Sequence, residues 1–445
     1  MDLFRVVGGS KLNGEVQLAG AKNVALKICA ASLLTRAEVV VHNVPHIRDV
    51  YLMIELLKHL GAKVRFDKHT LVLSSDSISA GKVPLDIGAR LRTSALVMGP
   101  LLARYGQASV PNPGGCRIGA RPINRLIEGL IQMGADITYN SEDGFFYGQA
   151  DRLTGCEIEF SKNTHTGTEA LILAAVLARG TTVLKNAASE VEVDDLIGFL
   201  SSMGARIKRI APRQIVVEGV KTLGPAEYTI MSDRNEEVTF AVAAAAIGGN
   251  ITVRNSQRDN LRSFINAFQS CGGSVTDHSD FITEYFCSSK LKPSDIVTAP
   301  HPGFMTDWQG PWALLMTQAD GLSTLHETVF ENRFSYVSQL IKMGADIDFY
   351  QPQVKDPKSV YNFNWNNSLS LNLQAIRIQG PRILHNAVLE IADLRAGATV
   401  LLAALVAGGE SIITGIDQID RGYEQIEDRL VSLGAHIIRE EEAKL

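Results

Sequence analysis

Leu196-Ile197-Gly198-Phe199-Leu200-Ser201-Ser202-Met203-Gly204-Ala205 reads as the end of a helix, and the fold follows from its recurrence. Leu196, Phe199, Leu200 and Met203 share one helical face. Gly204 then stops the helix in the left-handed conformation that glycine adopts without strain. The same ending of apolar residue, Gly and small residue stands at Leu60-Gly61-Ala62, Met133-Gly134-Ala135, Cys271-Gly272-Gly273, Met343-Gly344-Ala345 and Leu433-Gly434-Ala435.

These endings fall about 70 residues apart, except for the fifth interval of about 90. The extra residues belong to an insertion at about 350–385, a polar and aromatic stretch from Gln351-Pro352-Gln353 through Trp365-Asn366-Asn367 that reads as an inserted loop or hairpin. Ahead of each ending come a short β-rich run, such as Val39-Val40-Val41 or Thr182-Val183-Leu184, a loop and an amphipathic helix. A second, Ala-rich helix is expected in each unit, over 21–34, 93–103, 168–177, 238–247, 308–317 and 396–407. Strands alternating with helices in six repeated units predict an α/β fold, arranged as two halves of three units with a boundary near 230.

The 445 residues are 45% hydrophobic and 20% charged, enough for two or more cores. A net charge of −5 gives no ground for a nucleic-acid partner. The longest apolar stretches, near 239–249 and 398–407, are too short for a membrane span, and residues 1–5 lack a leader pattern. Five widely spaced cysteines without a CxxC pair predict a reduced, cytoplasmic protein with neither a disulfide framework nor a structural zinc.

Chemistry concentrates first in Pro111-Asn112-Pro113-Gly114-Gly115-Cys116-Arg117-Ile118-Gly119-Ala120-Arg121-Pro122. Its glycines and prolines exclude a helix or a central strand. Two readings stay open on this loop alone. It is a mobile, basic loop whose thiol is activated by arginines for work on an anionic substrate, or a surface turn with an incidental cysteine. Charges recur at matching places in other units: Arg48, Arg121 and Arg421 stand 13 residues before their glycines, with Asp259 and Arg333 nearby in theirs. Lys22, Arg92, Asp233-Arg234, Asp307 and Asp393-Leu394-Arg395 lie just before the Ala-rich helices. Loops converging on a cleft between the halves would gather these cations and carboxylates. Asp233 and Asp393 also read as helix N-caps, and Asp233-Arg234 as a structural pair. Met133, Met203 and Met343 read as core, and Cys29, Cys156, Cys271 and Cys287 as buried and inert.

Gly20-Ala21-Lys22-Asn23, Gly114-Gly115-Cys116, Gly119-Ala120-Arg121-Pro122, Asp233-Arg234, Thr306-Asp307, Thr328-Val329-Phe330-Glu331-Asn332-Arg333-Phe334, Asp393-Leu394-Arg395-Ala396 and Ile419-Asp420-Arg421-Gly422-Tyr423-Glu424 resemble, in order and nearly end to end, the enolpyruvyl transferases. The likeness is closer to the branch that uses UDP-N-acetylglucosamine than to the shikimate branch. It implies two inside-out α/β domains, each of three pseudosymmetric units. Residues 22–230 would form the first; residues 1–21 and 231–445 would form the second, with the N-terminal strand returning to it. It also implies transfer of the enolpyruvyl group of phosphoenolpyruvate to the sugar 3-hydroxyl, with release of phosphate, as the first committed step of peptidoglycan synthesis. The implied partners are these two small molecules, with no cofactor and no metal.

The same resemblance implies the site. Lys22, Arg121 and Arg421 match phosphate-side residues, and Arg92, Arg333 and Arg395 match further cations around the substrates. Arg suits both phosphate and carboxylate because its fork binds two oxygens. Cys116 matches the acid that protonates the methylene carbon and can bond covalently to the substrate, and so the target of fosfomycin. Asp307 matches the base that orients the sugar hydroxyl, and Asn23 a holder of the tetrahedral intermediate. Pro122, Ile123, Asn124, Lys162, Thr164, His165, Thr166 and Val329 complete the implied nucleotide-sugar site, together with Asn23, Arg92, Arg121, Asp307 and Arg333.

Three departures stand out. Ile123-Asn124-Arg125-Leu126 replaces a hydrophobic residue followed by Asp-Leu-His, in a region that lies against the uracil in the family. Thr164-His165-Thr166-Gly167-Thr168-Glu169 replaces Ser-Val-Gly-Ala-Thr-Glu. The third is the insertion. The first keeps open a paralogous transferase for a different nucleotide sugar. A further reading is an inactive nucleotide-sugar-binding regulator, against which the joint presence of Cys116, Asp307 and the arginines argues.

Overall fold

All six signature glycines sit in the left-handed region, with φ of 104° at Gly61, 94° at Gly134, 99° at Gly204, 106° at Gly272, 97° at Gly344 and 107° at Gly434. After each, an N–H reaches back to close the helix, as from Ala62 to the Leu57 carbonyl at 2.9 Å and from Ala205 to that of Leu200 at 3.0 Å. These are Schellman stops. The computed structural model describes residues 2–78, 81–114, 119, 122–365 and 373–441, so Cys116 and Arg121 lie outside the described residues.

The described strands form five four-stranded sheets and one three-stranded sheet. Every four-stranded sheet repeats one pattern. An edge strand runs parallel to its neighbour, and two antiparallel strands follow. Thus Ala226–Thr229 is parallel to Val39–His42, which is antiparallel to Thr70–Ser74, itself antiparallel to Lys63–Asp67. In the three-stranded sheet of Gln107–Pro111, Phe145–Gln149 and Asp136–Asn140, one parallel bridge from Lys82 to Ser109 stands where the edge strand would be.

The chain divides into two units with three of these sheets each. One is built from residues 20–114 and 122–231, the other from residues 2–19, 119 and 232–441. In the second unit Asp2–Gly8 lies between Gly409–Thr414 and His436–Glu441, antiparallel to both.

The Ala-rich helices are the interior. Arg234–Ile247, Gln309–Met316 and Leu394–Val406 pack on one another, with almost every residue buried. In the first unit Lys22–Ala31 and His165–Ala175 are buried in the same way. A helix apolar on all sides has to be surrounded. Amphipathic helices such as Arg48–His59 bury one face, and strands such as Thr70–Ser74 alternate buried and half-buried residues, as an outer sheet does.

Three of these helices begin earlier than their apolar runs suggest, because their caps lie upstream. The Thr164 hydroxyl accepts from the Gly167 N–H at 3.2 Å, the Asp233 carboxylate from Asn235 at 2.8 Å, and that of Asp393 from Arg395 at 3.0 Å. Asp233 and Asp393 are therefore N-caps as expected. Residues 92–97 form a 3-10 turn ahead of the α-helix Met98–Tyr105, where a helix from 93 was expected. Met133, Met203 and Met343 are core.

Cys29 and Cys271 are buried, which pushes their thiols up to about 12 and about 11. The expectation of burial fails for Cys156 and Cys287, which are half-buried because each stands just outside a strand, Glu157–Glu159 and Ile282–Phe286 respectively.

The insertion is narrower than the expected 350–385. It occupies residues 351–374, and Ala375–Gly380 belongs to the regular ladder opposite Asp346–Tyr350. The matching hairpin of another unit, Arg206–Ala211 with Gln214–Glu218, turns over Pro212 and Arg213. A hairpin tip accepts such an addition cheaply, since closure entropy grows slowly with loop length. Among the described residues, no helix is long and apolar enough to cross a membrane.

Candidate active site

In the first unit, the helix Lys22–Ala31 places Lys22 and Asn23 in its opening turn. The Lys22 ammonium lies 2.7 Å from the Asp49 carboxylate, which comes from the first turn of Arg48–His59, and both side chains are nearly buried. Arg92 opens its 3-10 turn and donates to the Pro113 carbonyl at 3.3 Å.

The implied nucleotide residues gather at the start of His165–Ala175. The first turn of a helix has N–H groups without intrahelical partners and carries partial positive charge. His165 and Thr166 occupy that turn, Thr164 caps it, and Lys162 stands just before it. His165 Nε2 is 3.1 Å from Glu169 Oε1, and Glu169 Oε2 is 3.1 Å from Lys27 Nζ. Burial works against a charge on His165, but Glu169 outweighs it and raises the imidazole pKa. Burial likewise opposes the Glu169 charge, and His165 with Lys27 brings that carboxyl below its ordinary range.

Pro122 and Ile123 lead into the helix Asn124–Gln132, where the Asn124 amide donates to Glu128 at 3.2 Å. Leu126 is buried in the core, as are Leu130 and Met133 on the same helical face. It stands in the altered run 123–126, and the helical spacing of these three residues turns it inward.

The second unit brings three implied residues together. Asp307 stands in the 3-10 turn Thr306–Trp308 with its side chain 21% exposed. Arg333 donates to Asp307 Oδ1 and lies 3.7 Å from Asp393. Arg395 Nε is 3.7 Å from Asp307 Oδ2. One partly open carboxylate thus sits between two nearly buried guanidinium groups. Asp393 caps the helix Leu394–Val406 and so fixes Arg395 in its first turn. Arg395 also stands over the Tyr423 ring at 5.3 Å, and the Tyr423 hydroxyl is 2.8 Å from that of Thr239. Burial opposes the Arg395 charge, but Tyr423, Asp307 and Asp233 more than offset it. Arg421 is buried in the same unit and donates to Gln418 at 3.2 Å.

Sequence reasoning missed Glu327. Its fully buried carboxylate accepts from Thr306 Oγ1 at 2.8 Å, Gln309 Nε2 at 2.9 Å, and the N–H groups of Val329 at 2.6 Å and Phe330 at 3.0 Å. It ties the turn carrying Asp307 to the loop carrying Val329 and Arg333. An acid directly before the Thr328-Val329 motif is the only trace it leaves in the sequence. Asp49 and the Lys27–Glu169 pair were missed because Lys22 with Asp49, and Lys27 with Glu169, pair across long stretches of chain.

The family model of EPSP synthase (3-phosphoshikimate 1-carboxyvinyltransferase) matches residues 6–430. The chain belongs to this family. It is 41% identical over 440 residues to the UDP-N-acetylglucosamine 1-carboxyvinyltransferase of Hydrogenovibrio crunogenus, covering 99% of this chain and 100% of that one. It is 42% identical over 440 residues to the protein of the same name from Magnetococcus marinus, covering 99% of each. Among solved structures it is similar to the enolpyruvyl transferase NikO from Streptomyces tendae, with a TM-score of 0.85 at 24% identity over 99% of both chains. It is also similar to EPSP synthase from Acinetobacter baumannii, with a TM-score of 0.74 at 17% identity over 99% of this chain and 100% of that one. These two likenesses establish the enolpyruvyl transferase fold, and the expectation of repeated α/β units holds.

Proposed function

We propose that this chain transfers the enolpyruvyl group of phosphoenolpyruvate to the 3-hydroxyl of UDP-N-acetylglucosamine, releasing phosphate, in the cytoplasm at the first committed step of peptidoglycan synthesis. The observation that carries this reading is the Asp307 carboxylate held between Arg333 and Arg395, in a chain whose full-length relatives bear the name of that activity.

In the addition step, Asp307 takes the proton of the sugar hydroxyl as its oxygen bonds to C2 of phosphoenolpyruvate. Cys116 delivers a proton to the methylene carbon. In the elimination step, the C2–O bond to phosphate breaks, a proton leaves the new methyl group, and the double bond returns. Lys22, Arg121 and Arg421 take the phosphate charge; Arg92, Arg333 and Arg395 serve the remaining anionic groups. Asn23 holds the tetrahedral intermediate. Lys162, Thr164, His165 and Thr166 take the diphosphate at a helix N-terminus, where anions are favoured. Pro122, Ile123, Asn124 and Val329 border the nucleotide sugar.

Burial of Leu126 removes one ground for a different nucleotide sugar, because that side chain supports the core. The test is phosphate release with phosphoenolpyruvate and a panel of nucleotide sugars. UDP-N-acetylglucosamine is expected to give the highest kcat/KM. Absence of turnover with it, beside turnover with another nucleotide sugar, overturns the assignment.

A further inference from the structure

The insertion is marked by the sequence, the reaction does not use it, and its contacts are specific. Its described residues bond to the loop of residues 327–333, which carries Val329 and Arg333. This loop has no ladder of its own, so its backbone groups need partners from elsewhere. Its N–H groups at Val329 and Phe330 go to Glu327, and that of Thr328 goes to Thr298 Oγ1 at 2.9 Å. Its carbonyls go to the insertion. The Asn362 N–H donates to the Thr328 carbonyl at 2.7 Å, and Gln374 Nε2 donates to that of Glu331 at 3.0 Å. At the head of the loop, Tyr361 Oη lies 3.1 Å from Nε2 of His326.

The grip is itself anchored. Tyr361 is fully buried and Gln374 nearly so. Trp365 stacks on Tyr361 with ring centroids 4.5 Å apart and planes 9° from parallel, and Phe363 stacks on Tyr361 at 5.1 Å. This aromatic stacking fixes residues 361–365 against one another.

We propose that the insertion is a specificity element, buttressing the 327–333 loop through its carbonyls and so setting how Val329 borders the nucleotide sugar. This rests on the functional reading above. Tyr361, Asn362 and Gln374 are positioning residues, acting through the loop. The phosphate of phosphoenolpyruvate is served by Lys22, Arg121 and Arg421, which lie outside this loop, so its binding depends on the insertion less than that of the nucleotide sugar.

The experiment is steady-state kinetics on the full chain, with melting temperature alongside. The variants are Gln374→Leu, Tyr361→Phe, and replacement of residues 352–373 by an Asn-Gly turn; Lys358→Ala, in an exposed part of the insertion, is the control. Gln374→Leu is expected to raise KM for UDP-N-acetylglucosamine roughly threefold to tenfold, the effect of one lost hydrogen bond. The turn replacement is expected to raise it further. KM for phosphoenolpyruvate should stay within about twofold, as one substrate's loss of orientation predicts, and Lys358→Ala should match the unaltered chain. Unchanged KM for the nucleotide sugar in Gln374→Leu overturns the proposal. So do losses in both KM values and kcat that track a fall in melting temperature. Failure of the unaltered chain to turn over UDP-N-acetylglucosamine overturns the functional reading instead, and the insertion's assigned substrate with it.

Discussion

Lys27 and Glu169 form an ion pair at 3.1 Å inside the first unit, with side chains 4% and 0% exposed. Neither charge has solvent to fall back on, and without Lys27 the Glu169 carboxylate keeps only His165. Lys27→Met is expected to destabilise the unit by up to about 3–5 kcal/mol, the cost of a fully uncompensated buried charge, less what His165 retains. The double variant Lys27→Met with Glu169→Leu should recover most of that loss. Thermal unfolding of the single and double variants measures the difference.

His165 makes the same network sensitive to pH. Its pKa is raised above the ordinary 6.5, so its favourable pairing with Glu169 is fully present below 6.5 and is lost as pH rises through the raised value. If the imidazolium also faces the diphosphate, affinity for UDP-N-acetylglucosamine falls over that same window. Calorimetric titration from pH 6 to 9 should show this decline, and His165→Gln should flatten it. A flat profile in the unaltered chain would remove His165 from the nucleotide site.

Asp307→Asn leaves Arg333 and Arg395 beside a neutral amide. A general base contributes roughly 10²–10⁴-fold, so kcat is expected to fall by about that much. Equilibrium binding of UDP-N-acetylglucosamine, which does not need the proton to move, should weaken far less. Stopped-flow phosphate release separates the two.

Glu327→Gln replaces an acceptor that holds Thr306, Gln309, Val329 and Phe330 by an amide with one acceptor oxygen. Charge-assisted bonds of this kind are worth about 1.5–3 kcal/mol each. Loss of one is expected to lower kcat by about one to two decades through misplacement of Asp307. Wild-type kcat in a stable Glu327→Gln variant would show that the tie is only structural.

Cys116 is expected to be the thiol alkylated by fosfomycin, since arginines around a cysteine raise its thiolate fraction and draw in an anionic reagent. Peptide mass spectrometry of the inactivated chain should find the adduct there. Adducts at Cys156 or Cys287, the half-buried thiols, with Cys116 unmodified would refute this. Cys116→Asp should retain turnover because a carboxylic acid still supplies a proton, and Cys116→Ala should not.

The fold was legible because its punctuation is local. A helix stop needs a left-handed residue, and Gly61, Gly134, Gly204, Gly272, Gly344 and Gly434 announce it within three positions. The cations proposed for the site stood out in the sequence as residue types at matching places, and the family likeness assigned their roles. Glu327, Asp49 and the Lys27–Glu169 pair were not, since nothing local distinguishes a buried acid with a distant partner from a solvated one. The spacing of Leu126 with Leu130 and Met133 marks a core face that the departure at 123–126 does not by itself reveal.

The placement of Asp2–Gly8 between Gly409–Thr414 and His436–Glu441 carries a consequence for synthesis on the ribosome. Its two pairing partners are among the last segments to emerge, so this early strand travels unpaired through nearly the whole of translation. Phe4 and Val6, both fully buried in the finished sheet, stay uncovered meanwhile. A naked strand edge of this kind invites pairing with other chains. The first unit, drawn almost entirely from residues 20–231, has no such wait and can settle first. Stalled nascent chains ending before residue 409 should therefore hold a protease-resistant first unit while their N-terminal strand remains a handle for chaperones.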